Sequence, residues 1–361
     1  MKTGRTAWRG AAWAIALLAL AAAVASQNRR LAAVRRAGLA GAPQYATQVP
    51  PLLNFVTVGL GGFRGIAAEV LWTRADRLQD EGRYLELMPL TDWITGLDPH
   101  AVEAWIYSAW NLAYNVSAMM PLAQDRLRWV TRGVGLLRDR ALPDNPHSAR
   151  LYRELAWFYQ HKIGGTDDEA HAAYQLDLAS VLAPCVGPDG TVADTPAAAE
   201  ALKRMRLAPD RMRALERRFG PLDWRMASSH AIYWASQGVE YATGYERLAC
   251  RRAVYQPLML ASIGGRFTGD LATGVFRSAP NHALVPATVR YLEEATADFP
   301  TRNMHLVCAR YLVGAIRWAQ AAGRGEEVQA WYRALQAIGA GVLTPVPLPD
   351  LLQGREPELC P

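Results

Sequence analysis

The densest group of chemically capable side chains lies between Tyr159 and Tyr174, where His161, Asp167, Asp168 and His171 flank the turn Gly164-Gly165. Imidazole and carboxylate groups are the types that hold a divalent metal or move protons. Their spacing does not follow H-E-x-x-H or another helix-borne ligand pattern. A structural account competes: Thr166 or Asp167 caps a helix beginning near Asp168, with acidic groups favoured in its first turn. A second group spans 221 to 235, with Asp223, Trp224, Arg225, His230, Tyr233 and Trp234 close together. There Asp223 is expected to cap a helix and pair with Arg225, while His230 shares a face with Tyr233 or Trp234. Gly59 to Gly65 (GLGGFRG) has the glycines of an anion cradle, but no hydrophobic strand precedes it and no lysine follows, so it reads as a hinge.

Other catalytic signatures are absent: the chain holds no P-loop, no G-x-S-x-G elbow and no dinucleotide fingerprint after a strand. No catalytic residue, metal or cofactor is therefore assigned. Cys185, Cys250, Cys308 and Cys360 are widely separated and form no C-x2-C pair, which excludes a zinc ribbon and leaves disulfide pairing open.

Over 361 residues the chain is 51% hydrophobic and 20% charged, a balance that suits a folded protein rather than a long disordered one. Lys2, Arg5, Arg9, Arg29, Arg30, Arg35 and Arg36 all precede the first acidic residue, Glu69, and without them the net +6 almost vanishes. A nucleic-acid binder would carry its basic face in the folded part, so none is expected as a partner. Those cations instead bracket an uninterrupted apolar run from Gly10 to Ala25, the pattern of a secretory signal or an anchor. Ala23-Val24-Ala25 would permit cleavage. Arginines crowding the following residues, and Trp8 and Trp13 as interfacial belt residues, favour an uncleaved anchor. The expectation is a single N-terminal span over 1–30 in an inner membrane, with the bulk of the chain periplasmic or otherwise extracytoplasmic.

Side chains that act together must be held by regular elements, and these are helical. After a Gly- and Pro-containing linker over 31–66, apolar residues recur three or four apart from Ala67 to Ala183. Breaks fall at Gly82, Pro99-His100, Pro121, Asn145-Pro146 and Gly164-Gly165. The pattern repeats: Leu71, Ala75 and Leu78 are followed 34 residues later by Trp105, Ala109 and Leu112, and Ala156 follows Ala109 by 47. The 13 extra residues fit a longer loop around Val116 to Gln124. Tyr152, Ala156 and Tyr159, with Ala170 and Tyr174, make a third helix pair. Beyond Pro184 a loop leads to two short Arg-rich helices between Pro196 and Phe219. Helix pairs return over 229–242 with 246–261 and over 303–322 with 326–338, and residues 262–283 read as an irregular insertion or small hairpin.

This bulky–small–bulky register, with a proline closing each unit, resembles the tetratricopeptide (TPR) repeats. The resemblance covers residues 68–184 well and 228–338 poorly. It implies an all-α, right-handed superhelical array of antiparallel helix pairs, divided into repeats over 67–184, an irregular connector over 185–227 and a C-terminal helical-pair region over 228–361. It further implies that Glu69, Trp72, Asp76, Gln79 and Asp80 of unit one face a concave groove. Glu103, Ile106, Trp110, Ala113 and Tyr114 of unit two, and Arg153, Trp157, Gln160 and His161 of unit three, would face it too. Trp72, Asp76, Trp110, Tyr114, Arg153, Trp157 and His161 are the expected partner-binding residues, and the partner a protein or peptide segment. The competing expectation for the aromatics is packing between adjacent helices, above all for Trp105 and Trp129. The leading functional reading is a non-enzymatic, membrane-tethered scaffold. The alternative is an envelope enzyme or accessory subunit with a metal or carboxylate site near His161, Asp168 and His171.

Overall fold

The computed structural model describes residues 64–360, together with Ser26 and Arg29. The expected anchor over 1–30 and nearly all of the 31–66 linker therefore lie outside the described residues, as do residues 59–63 of the glycine-rich turn. Among the described residues no helix is long and apolar enough to cross a membrane. The described chain is mostly α-helical and divides after Ala104 into two compact units.

In the first unit α1 (Arg64–Asp80) and α2 (Tyr84–Leu97) pack together across a tight turn. Gly82 makes that turn possible: its φ of +70° is a left-handed conformation that costs a glycine nothing. Ala75 and Leu78 are buried and Leu71 is half-buried, so this row of the expected register faces a packed interior.

Helix α3 (Val102–Trp110) leads into the second unit and continues without a break into a π-helical turn, Asn111–Val116. Two neighbours do the same: α4 (Ala123–Gly135) runs into Leu136–Ala141, and α5 (Ala149–Trp157) into Phe158–Ile163. Helix α6 (His171–Leu182) follows the double-glycine turn. Each expected break falls between helices, because Pro and Gly deny the backbone an i→i+4 bond or its entropy at those points. Ser148 starts α5 by accepting the Leu151 N–H at 3.4 Å.

The close approach of α4 to the α3 π turn depends on Gly133. A Cβ there would lie 2.8 Å from the Ala109 carbonyl oxygen and 3.0 Å from the Ala113 Cβ. Gly133→Val is therefore expected to destabilise the protein by about 1–3 kcal/mol, the usual range for overpacking, despite the better helix propensity. Urea denaturation beside the wild type checks this.

Two short Arg-bearing helices, α7 (Pro196–Arg204) and α8 (Pro209–Phe219), then precede a long pair, α9 (Ala227–Tyr241) and α10 (Gly244–Gly264). Helix α9 packs along both α5 and α10 and contributes seven consecutive buried residues, Ser229 to Ala235. Such all-round burial marks an interior helix. Gly238 lets it sit against Ala149, Tyr152 and Cys250.

The 262–283 segment contains a two-stranded antiparallel ribbon, β1 (Arg266–Phe267) with β2 (Ser278–Ala279). Then come α11 (Val285–Asp298), α12 (Arg302–Ala321), α13 (Gly325–Gly339) and α14 (Leu348–Leu352). All four cysteines are free thiols, three of them buried. Burial pushes the Cys250 and Cys308 thiols up to about 12, so neither supplies a thiolate nucleophile at neutral pH.

Candidate functional site

The structure joins four of the seven expected partner-binding side chains into one aromatic ladder on α3 and α5. Trp110 and Tyr114 stack at 4.2 Å with an interplanar angle of 15°, and Trp157 and His161 stack at 4.7 Å and 13°. Both are i,i+4 pairs, neighbours on one helix face. Each pair also straddles the passage from α-helix to π turn, a feature that recurs at functional positions. The two pairs occupy equivalent places 47 residues apart, the spacing expected from the repeat. They meet through the Tyr114 hydroxyl, 3.3 Å from His161 Nδ1, and through Phe158, whose ring lies edge-on to both Trp110 and Tyr114.

Within this ladder the members differ in what they can offer. Trp110 is half-buried and donates its indole N–H to Glu154 at 3.2 Å. Tyr114 is half-buried above the Lys162 ammonium, 4.9 Å away, and burial raises its phenol pKa. Their polar atoms are therefore committed to holding α3 against α5. Trp157 is the more exposed, at 36%, with one ring face stacked on His161 and its indole N–H donating to the Tyr114 hydroxyl.

The remaining expected residues are placed elsewhere. Arg153 bridges α5 to α10, with Nε 2.8 Å from Glu246 and Nη1 3.4 Å from Glu154, so its guanidinium is engaged inside the protein. Trp72 and Asp76 lie on α1 in the first unit, Trp72 half-buried and Asp76 exposed. Sequence reasoning passed over Glu154, Phe158 and Lys162. Glu154 lies three residues before Trp157, a spacing that could have placed it on the same face.

The acidic turn does not gather its four groups into a metal site. Among the described residues no three His, Cys, Asp or Glu side chains are arranged to hold a metal ion. Asp168 instead receives Lys162 at 2.6 Å, Arg126 at 3.2 Å, the Tyr174 hydroxyl at 3.1 Å and the Ala170 N–H at 2.9 Å. Burial alone would raise its carboxyl pKa. Lys162, the Ala170 N–H and Tyr174 outweigh that and bring it down to about 2. The other groups face apart: His171 Nδ1 contacts the Asp168 carbonyl, and His161 Nε2 is 3.9 Å from an exposed Asp167. The expected cap is corrected too. Helix α6 begins at His171 with Ala170 in the cap position, because the Asp168 carboxylate pulls the chain into a turn three residues beyond Thr166–Asp167.

Around 221–235 the aromatic and polar cluster is an interior network. Asp223, 1% exposed, accepts from the Arg225 backbone N–H and guanidinium and from the Phe267 N–H. Its pairing with Arg225 is as expected. Its side chain does not cap α9, whose cap position is Met226, since both carboxylate oxygens are already committed. His230 is 1% exposed, donates through Nε2 to the Trp224 carbonyl at 2.8 Å, and stacks on Tyr159 at 4.9 Å.

No protein-family model matches this chain, and no curated protein is similar to it at a significant level.

Proposed function

We propose that this protein is a membrane-tethered helical scaffold that binds a protein or peptide segment through the Trp157–His161 face of α5. The observation that carries the reading is the exposed Trp157 ring, stacked on His161 and backed by the Trp110–Tyr114 pair. An aromatic held rigid from behind loses little entropy on binding, which is why Trp and Tyr dominate hot spots. The bracketed apolar run at Gly10 to Ala25 supports a tether, and its flanking cations support association with an anionic membrane surface. In this reading the TPR-like repeat presents the face, and the bulk of the chain is extracytoplasmic.

Trp157→Ala tests the reading, because it removes the exposed ring, with its stack on His161 and its bond to Tyr114, and leaves the Trp110–Glu154 bond between α3 and α5 in place. Cross-linked capture of the full-length protein from its native membranes is expected to recover a stoichiometric partner. Trp157→Ala, with unchanged helicity by circular dichroism, is expected to weaken that recovery by tenfold or more, about 1.4 kcal/mol or above. Equal recovery by the two proteins removes Trp157 as the contact.

A further inference from the structure

A cavity of about 240 Å³ lies between α4 and α6, bounded also by the π turn that continues α5 and by α9. Val130 and Val134 line it from α4, Leu178 and Leu182 from α6, and Leu207 from the chain between α7 and α8. On each helix these positions lie four residues apart, so each turns one apolar stripe toward the space. A cavity of about 150 Å³ with such a lining takes up a benzene ring, so this one has room for a ring with a short tail.

The polar side chains deep in the cavity are spent within the protein. The Tyr174 hydroxyl donates to Asp168 at 3.1 Å, Tyr159 bonds Arg138, and Arg138 places Nε and Nη2 each 2.8 Å from an Asp139 oxygen. His230 donates through Nε2 to the Trp224 carbonyl, and its other ring nitrogen is enclosed and does not meet the cavity.

The mouth differs. Asp177 and Val181 line it and are exposed, Val181 at 49%. Among the described residues the Asp177 carboxylate forms no hydrogen bond or ion pair. Partial desolvation raises its pKa, and no neighbouring cation offsets the rise. Arg138 lines the same cavity, so the formal charges of Arg138 and Asp177 cancel, but the guanidinium is answered by Asp139, towards which Arg206 also points at 4.0 Å. Selection therefore rests on which charged group is free to bond, and not on a surplus of charge. A carboxylate drawn partly out of water beside an apolar space gains most from a donor that carries a positive charge.

We propose that this cavity binds a small primary amine carrying one compact apolar group. The apolar group would lie between the stripes of α4 and α6 and cover Val181, and the ammonium would donate to Asp177 at the mouth. Trp157 does not line the cavity, so the inference does not rest on the Trp157 reading.

Isothermal titration of the full-length protein at constant ionic strength tests the assignment, with 2-phenylethylamine as the probe, 2-phenylethanol as its neutral counterpart and 3-phenylpropanoate as the anion. The amine is expected to bind at one site at least tenfold more tightly than either. Asp177→Asn, which keeps the shape of an exposed side chain that holds nothing else, is expected to remove that preference while leaving the affinity for the alcohol unchanged. Val181→Lys, four residues on along the exposed face of α6, would place its own ammonium on Asp177 and is expected to weaken the amine at least tenfold with unchanged helicity. Absence of saturable amine binding overturns the proposal, as does undiminished binding in either variant. Equal affinity for the alcohol, or tighter binding of the anion, overturns the ammonium assignment.

Discussion

Asp223→Ala is expected to destabilise the protein by about 3–5 kcal/mol, the range for removing one partner of a buried ion pair. The carboxylate is 1% exposed and ties its own segment to β1, while the backbone beside it holds a third piece of chain. Oδ1 takes the Arg225 N–H at 3.0 Å and Nε at 2.9 Å, and Oδ2 takes Arg225 Nη2 at 2.8 Å and the Phe267 N–H at 2.8 Å. The third piece is the loop at Gly190, whose carbonyl accepts the Trp224 N–H at 3.0 Å. Gly190 has φ +86°, and a Cβ on it would fall 2.3 Å from the Asp223 carboxylate, so the loop and the acid are shaped to each other. Alanine would leave two backbone N–H groups, those of Arg225 and Phe267, and the Arg225 guanidinium without their carboxylate acceptor. Arg225→Met is expected to cost less, because Asp223 would keep both backbone N–H groups. Urea titration followed by circular dichroism measures both. An Asp223→Ala loss no larger than that of Arg225→Met would show that the ion pair, and not the chain-joining role, carries the stability.

That network also shows where sequence reasoning stops. Asp223 with Arg225 was legible, since the two are oppositely charged and only two residues apart. The Phe267 N–H, 44 residues away, was not, because only the return of the chain from α10 through β1 brings it there. The Arg153–Glu246 bridge, 93 residues apart, was hidden for the same reason, and so Arg153 read as a groove residue although its charge is spent internally. Local signals did better. Breaks at Gly82, Pro99-His100 and Asn145-Pro146 delimit helices because backbone sterics act within a few residues.

The burial of Ala75, Ala109 and Ala156 follows from periodicity, which reports only which face is inside. Helix α11 falls between the expected helix pairs, and Pro286 sits in its first turn, where a proline gives up no intrahelical bond. The π turns under Tyr114 and His161 had no sequence signal at all, because an i→i+5 bond leaves no residue-type signature comparable to a cap or a proline. Periodicity thus found the ladder's two helices and its 47-residue register. Which of its aromatics stays exposed was decided by tertiary packing, with Phe158 and Glu154 closing over Trp110 but not over Trp157.

Acidification from pH 7 to pH 4 is expected to remove on the order of 3 kcal/mol of stability through His230 alone. The imidazole is enclosed, and burial, with Arg138 adding a repulsion, lowers its pKa from 6.5 to about 4 although the Trp224 carbonyl favours the charged form. Above 6.5 the group is neutral folded or unfolded and contributes no pH dependence. As the pH falls below 6.5 the unfolded chain takes up a proton that the folded one refuses, so stability declines until the folded imidazole titrates near 4, and then levels off. Asp168 acts in a separate window. Its stabilisation is complete above the ordinary carboxylate value of 3.8 and is lost as pH falls towards about 2. Denaturation curves taken at steps between pH 7.5 and 4.5 lie above the Asp168 window, and because burial raises the Asp177 and Glu293 carboxyls, comparison with a histidine variant assigns the slope. In His230→Phe, which keeps a ring stacked on Tyr159 but cannot bind a proton, the slope over that interval is expected to flatten while the Trp224 carbonyl loses its donor at every pH. An unchanged slope in this variant would assign the acid sensitivity to another group and remove the enclosed imidazole as its source.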